Sequence, residues 1–155
     1  MAKSFLGQAG RARGLRNNNP FNLVQTNIAW QGKIPLSQNT DGKFEQFTEL
    51  RWGIRAGMRD IINDIKKGQN TIQKLISKFA PSFENNTNAY IQQVAAALGI
   101  STTTPLDLTE ETVIALASVI VGVENGADAK LITEADYKEA IAILGIPLKK
   151  KVTTR

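Results

Sequence analysis

The carboxylate best placed for chemistry is Glu124, at the end of the stretch Thr109–Gly126, TEETVIALASVIVGVENG. Val113, Ile114, Leu116, Val119, Ile120, Val121 and Val123 make the stretch apolar on nearly every side, the pattern of a buried helix. Thr109 supplies an N-cap, Glu110 and Glu111 suit the positive end of the dipole, and Asn125-Gly126 stop the helix. Glu124 then meets the negative end of the dipole beside apolar neighbours, the setting that a general acid needs to hold a proton near neutral pH. The competing reading makes it the first solvated residue after a core helix. The chain contains no histidine and no cysteine, which removes Ser–His nucleophiles, disulfides and most transition-metal sites. Any catalysis must use carboxylates, amides, hydroxyls, Lys or Arg, and no cofactor or metal is expected. Asp41, Glu45 and Glu49 are candidate second carboxylates, although Asp41 equally suits a turn and Glu49 the first turn of a helix. Asn22, Gln25, Trp30, Gln31 and Phe44 combine amides with aromatic rings, a mixture that suits sugars.

These groups need elements to hold them. Residues 1–15 read as a basic N-terminal arm carrying Lys3, Arg11 and Arg13, and residues 147–155 as a basic C-terminal tail. A single domain spans 16–146. From Arg16 to Phe47 the chain is rich in Asn, Gln, Gly and Pro, and reads as a small lobe of turns and short strands. The candidate strands are Phe21–Val24, Ile28–Gln31 and Lys43–Phe47, with a turn at Asp41-Gly42. Helical periodicity then predicts an amphipathic helix over Thr48–Lys67 and a shorter one from Asn70 ending before Pro81. A third runs from Asn86 or Thr87 to Leu98, and a last one covers Thr133–Leu144. The expected class is α+β, mainly helical, with about five helices around Thr109–Glu124 as the most buried one. Asn18–Phe47 is expected to cross its C-terminal end, and Gly122 to allow close packing there.

The 155 residues carry a net charge of +5, which favours an anionic partner such as nucleic acid, a membrane face or a cell-wall polymer. No recognition motif accompanies the positive charge, so nucleic acid is not required. No continuous apolar region marks a secretory signal, and the apolar helix reads as too short and too flanked by charge to span a membrane.

Several motifs together resemble a family of phage and prophage proteins that are virion structural proteins or cell-wall lytic enzymes. They are RNNNPFNL (Arg16–Leu23), Trp30-Gln31-Gly32, Phe44–Phe47, GIRAG (Gly53–Gly57), Phe79–Ile100, Pro105–Leu108 and Glu124-Asn125-Gly126. Phe21-Asn22 departs from the Gly-Asn expected there, and Gly122-Val123 from a basic residue or His. A weaker resemblance is to the lysozyme-like superfamily of lytic transglycosylases and glucosaminidases, in which an apolar helix ends in the catalytic Glu. The order of the pieces matches only if the chain is circularly permuted. The resemblance implies a lysozyme-like fold acting on bacterial peptidoglycan, in the virion or at lysis, with other virion proteins as further partners. It implies Glu124 as acid, Tyr90 steadying the sugar, and a second carboxylate in a muramidase, for which Asp41, Glu45 and Glu49 are the candidates, or none in a transglycosylase. Asn18, Asn19, Asn22, Trp30, Gln31, Phe44, Glu84 and Asn125 would then contact the glycan. A non-catalytic virion protein that binds the cell wall is the rival of a different class.

Overall fold

Two glycines one helical turn apart decide where the N-terminal third of the chain lies. They are Gly53 and Gly57, on the helix α2 (Leu50–Lys66), whose Ile54, Met58, Ile61, Ile62 and Ile65 form one apolar face. A Cβ at Gly53 would overlap the carbonyl oxygen of Asn18, and one at Gly57 would enter the ring of Phe21. The missing side chains therefore open a groove in which residues 17–22 lie, beside the short helix α1 (Arg13–Arg16).

The computed structural model describes residues 2–81 and 86–150. After α2 come α3 (Ile72–Phe79), α4 (Thr87–Leu98), α5 (Glu110–Asn125) and α6 (Glu134–Ala142). Each start has a local cause. Thr71, Asn86 and Thr109 accept from the backbone N–H groups of Lys74, Ala89 and Thr112, and Thr133 with Asp136 forms a capping box. Gly99 ends α4 in the left-handed conformation. α2 packs against α3, α5 and α6, and α4 bridges α3 and α5. Arg55 and Arg59 of α2 donate to the carbonyls of Ile143 and Leu144, 2.9 and 2.6 Å away, and so cap the end of α6.

Several expectations are corrected. The fold is all-helical: the described residues contain six α-helices and two 3₁₀ turns, Leu36–Gln38 and Gly126–Leu131, but no strand. An α+β, lysozyme-like arrangement with a strand lobe is thereby excluded. The three proposed strands reduce to isolated bridges, Val24 with Phe44 and Lys33 with Phe47. The Val24–Phe44 pairing goes no further than Gln25 N to Lys43 O and Glu45 N to Leu23 O, while Glu45 O and Phe47 O accept instead from Asn19 Nδ2 and Asn18 Nδ2 at 3.0 and 2.9 Å.

The most buried helix is α2 rather than α5. Ten of its 17 residues are buried, against six of 16 in α5. The lobe does cross the end of α5, but no atom lies within 4 Å of a Cβ built on Gly122, so that glycine does not serve close packing.

The basic arm packs against the helices. Phe5 is in the core, Lys3 Nζ bonds Leu131 O and Asp136 at 2.8 Å, and Leu50 N donates to Lys3 O. Likewise Lys149 joins the Leu108 carbonyl and the Asp107 carboxylate, with Leu148 against the core.

The helical stretch from Glu110 through the 3₁₀ turn to Leu131 covers 22 residues, long and apolar enough to cross a membrane by length and composition alone. Here Val113, Leu116, Ala117, Ile120 and Val121 are buried in the core.

Candidate functional site

Glu124 stands half-buried in the last turn of α5, and both of its carboxylate oxygens are held. Asn22 Nδ2 donates to Oε1 at 2.9 Å, and the Tyr90 hydroxyl donates to Oε2 at 3.0 Å. Three stretches far apart in sequence thus meet on one side chain.

Asn22 reaches Glu124 because it adopts a left-handed backbone (φ 52°), which Asn tolerates better than most residues. Asn125 ties the same turn to α5, donating from Nδ2 to Pro20 O at 2.8 Å and to Val121 O at 3.0 Å. Gly14 completes the fit. A Cβ there would collide with Asn125 Oδ1 and lie 3.0 Å from both Asn19 O and Asn22 Oδ1. Tyr90 is buried on α4, edge-on to Phe79, which is edge-on to Phe21. Burial, and then the charge of Glu124, push the Tyr90 hydroxyl well above the ordinary phenol range, so it remains a donor at any physiological pH.

Glu124 and Asn22 open on a cleft of about 310 Å³, at the low end of the range for small-ligand sites. Val24, Ile28, Trp30 and Phe44 line its lobe side, Asp60 and Asp64 the α2 side, and Lys78 and Phe79 the α3 side. Val24 and Ile28 are 51% and 49% exposed, an apolar rim open to a ligand.

Of the residues predicted from sequence, the cleft gathers Glu124, Asn22, Trp30 and Phe44, with Tyr90 behind Glu124. The others lie elsewhere. Asp41 forms a two-bond ion pair with Arg13 at 2.9 Å and accepts from Asn17 and the backbone of Phe44. The guanidinium foremost holds its carboxyl far below the usual range, and it borders a different cavity. Glu49 bonds Arg51 at 2.7 Å in front of α2, away from the cleft. Glu45 is fully buried against Lys33 Nζ at 3.0 Å and Thr26. None of the three lines the cleft on which Glu124 opens.

Asn18, Asn19 and Asn125 are buried and engaged with the backbone, so they build the site without reaching a ligand. Gln31 is exposed and does not line the cleft. Glu84 lies outside the described residues.

Two cleft acids escaped the sequence reading. Asp60 and Asp64 sit one turn apart on α2, and Lys78 Nζ pairs with Asp64 Oδ1 at 2.6 Å. Like charges spaced i,i+4 repel on a helix, and that spacing was the available signal.

Replacing Tyr90 by Phe keeps the ring in the core and removes only the donor to Glu124. The expected result is a melting temperature within a few degrees of wild type, since one hydrogen bond at a half-buried carboxylate is worth about 1 kcal/mol. Replacing it by Ala instead empties a core position, at a cost of about 3–5 kcal/mol. Melting curves of the two variants separate the donor's role from that of the ring.

This arrangement defines a helical domain with a cleft on which Glu124, Asp60 and Asp64 open. No protein-family model matches the chain. Over 121 residues it is 38% identical to Protein P5 of Pseudoalteromonas phage PM2, an alignment that covers 76% of this chain and 73% of the phage protein. The chain belongs to the family of that phage protein.

Proposed function

We propose that the protein cleaves the bond between N-acetylmuramic acid and N-acetylglucosamine in peptidoglycan as a lytic transglycosylase, acting on the host cell wall in the virion or at lysis. The observation that carries this reading is the pairing of Glu124 with two neutral donors, Asn22 and Tyr90, at the edge of an aromatic-lined cleft. They hold the carboxyl at the cleft edge without a competing charge, and as donors to both oxygens they favour its ionised form, the base of the second half of the reaction. Glu124 protonates the leaving oxygen as the C1–O bond breaks and an oxocarbenium-like centre forms. The resulting carboxylate then takes the proton of the muramic C6 hydroxyl while that oxygen bonds to C1, giving a 1,6-anhydro end and restoring the acid. Trp30 and Phe44 offer ring faces on which a sugar can stack. A relative from a phage fits a cell-wall substrate.

A second reading, a hydrolytic muramidase, is favoured by one observation, the presence of Asp60 in the same cleft. Mass spectrometry of sacculi digested with the protein separates the two. Anhydro-muropeptides are expected; reducing muramic ends support the hydrolase, and an intact sacculus leaves a wall-binding protein without catalysis.

A further inference from the structure

Asp60 is the cleft's unexplained group. Asp64, its neighbour one turn on, is committed to Lys78, whereas Asp60 has no hydrogen bond or ion pair among the described residues. It is not part of the Glu124 arrangement. Contacts run from Glu124 to Tyr90, from Tyr90 to Phe79, from Phe79 to Phe21, and from Phe21 onto Gly57, one turn before Asp60 on α2. Three rings therefore intervene along that path.

We propose that Asp60 is a specificity-determining contact of the cleft, accepting a hydrogen bond from a hydroxyl or amide N–H of the bound glycan. This rests on the reading of the cleft as a glycan site.

The charges that act on Asp60 are Asp64 on its own helix, Lys67 just past the end of that helix and Lys78 from α3; Glu124 of α5 and Lys43 of the lobe open on the same cleft. Burial first, and then Asp64, raise its carboxyl to about 6, against the partial opposition of Lys78 and Lys67. At neutral pH it is thus mostly ionised in a place that disfavours the ion. A raised carboxyl favours the folded state at low pH, and that contribution is lost as pH rises through about 6. An acceptor for a ligand donor needs the opposite condition, the ionised form. The fold and the ligand therefore make contrary demands on this side chain, as is common where a group is held for binding rather than for stability.

Asp60→Asn tests the inference, because a merely structural residue would not show both effects. Sedimentation with purified peptidoglycan sacculi is measured in a Glu124→Gln background, and muropeptide release in the Glu124-intact protein. Expected are an affinity about tenfold lower at pH 7.5, the size of one hydrogen bond to a charged group, a raised KM with kcat within about threefold, and a higher melting temperature at pH 7.5 than wild type. The rise of sacculus affinity between pH 5 and pH 7 should also flatten. Unchanged affinity and KM, with wild-type muropeptide release, would overturn the inference and leave the proposed function standing. A fall confined to kcat, with reducing muramic ends in the products, would overturn it in favour of Asp60 as the base of a hydrolase. Failure of the Glu124-intact protein to cleave sacculi, together with failure of Glu124→Gln to bind them, would remove both.

Discussion

Glu124→Gln should reduce muropeptide release by roughly 10²–10⁴-fold, the range that general acid catalysis contributes. The side chain keeps its length and polarity and loses the proton it must deliver. Its surroundings change little. Glu124 accepts from Asn22 and Tyr90, and a Gln oxygen can still accept from one of them while the amide nitrogen faces the other. That mismatch costs about 1 kcal/mol at a half-buried position where water can intervene, so the melting temperature should fall by only a few degrees. Sedimentation with sacculi should persist in the variant, since Trp30, Phe44 and the exposed rim at Val24 and Ile28 are untouched. Glu49→Gln provides the contrast: its carboxylate bonds Arg51 outside the cleft, and its release rate should match wild type. Full activity in Glu124→Gln would sink the assignment of the acid, whatever the second variant does.

The elements legible in the sequence are those whose causes are local. Thr109 at the start of α5, the Thr133–Asp136 box of α6 and Gly99 at the end of α4 each act within one turn, and the structure places the Thr109 cap as read. Glu124 was legible for the same reason, as the last carboxylate of an apolar run. The lobe was not. Its Gly, Asn and alternating apolar residues carry the marks of strands and turns, but Asn18 and Asn19 spend their side chains on carbonyls 29 and 26 residues away. No local pattern announces such partners. Asn22 was named for its chemistry, whereas the left-handed turn that aims it at Glu124, across 102 residues, depends on Asn125 and Gly14. Asp60 and Asp64 drew no reading from the sequence, since acids opposite an apolar face are ordinary on an amphipathic helix. They line the cleft because Phe21 and Phe79 fold over that side of α2, a tertiary fact.

Gly53→Ala should be the most destabilising small substitution in the chain, for a reason opposite to the usual helix preference. In an exposed helix interior, Ala is favoured over Gly by about 0.8–1.0 kcal/mol. At Gly53 the new methyl would occupy the position of the Asn18 carbonyl oxygen and crowd Asn19 Cα. Neither neighbour can swing aside as a flexible side chain would. Asn18 is fully buried, bonded to Phe5 N and Phe47 O, and Asn19 holds Leu23 and Glu45. The loop must lift off α2 as a unit, taking with it Phe21 and the turn that presents Asn22 to Glu124. Overpacking usually costs about 1–3 kcal/mol, and a clash with pinned backbone belongs at or above the top of that range. For a chain of this size about 3 kcal/mol corresponds to roughly 6–12 °C in melting temperature. Gly122→Ala is the control, since a Cβ there meets nothing within 4 Å and lies within α5; it should stabilise by about 0.5–1 kcal/mol. Thermal melts of the two variants therefore shift in opposite directions. Muropeptide release should separate them further, with Gly53→Ala losing turnover even below its melting transition because Asn22 no longer meets Glu124. Equal and small shifts in both melts would mean that residues 17–22 are not seated on α2, and that the support of the cleft lies elsewhere.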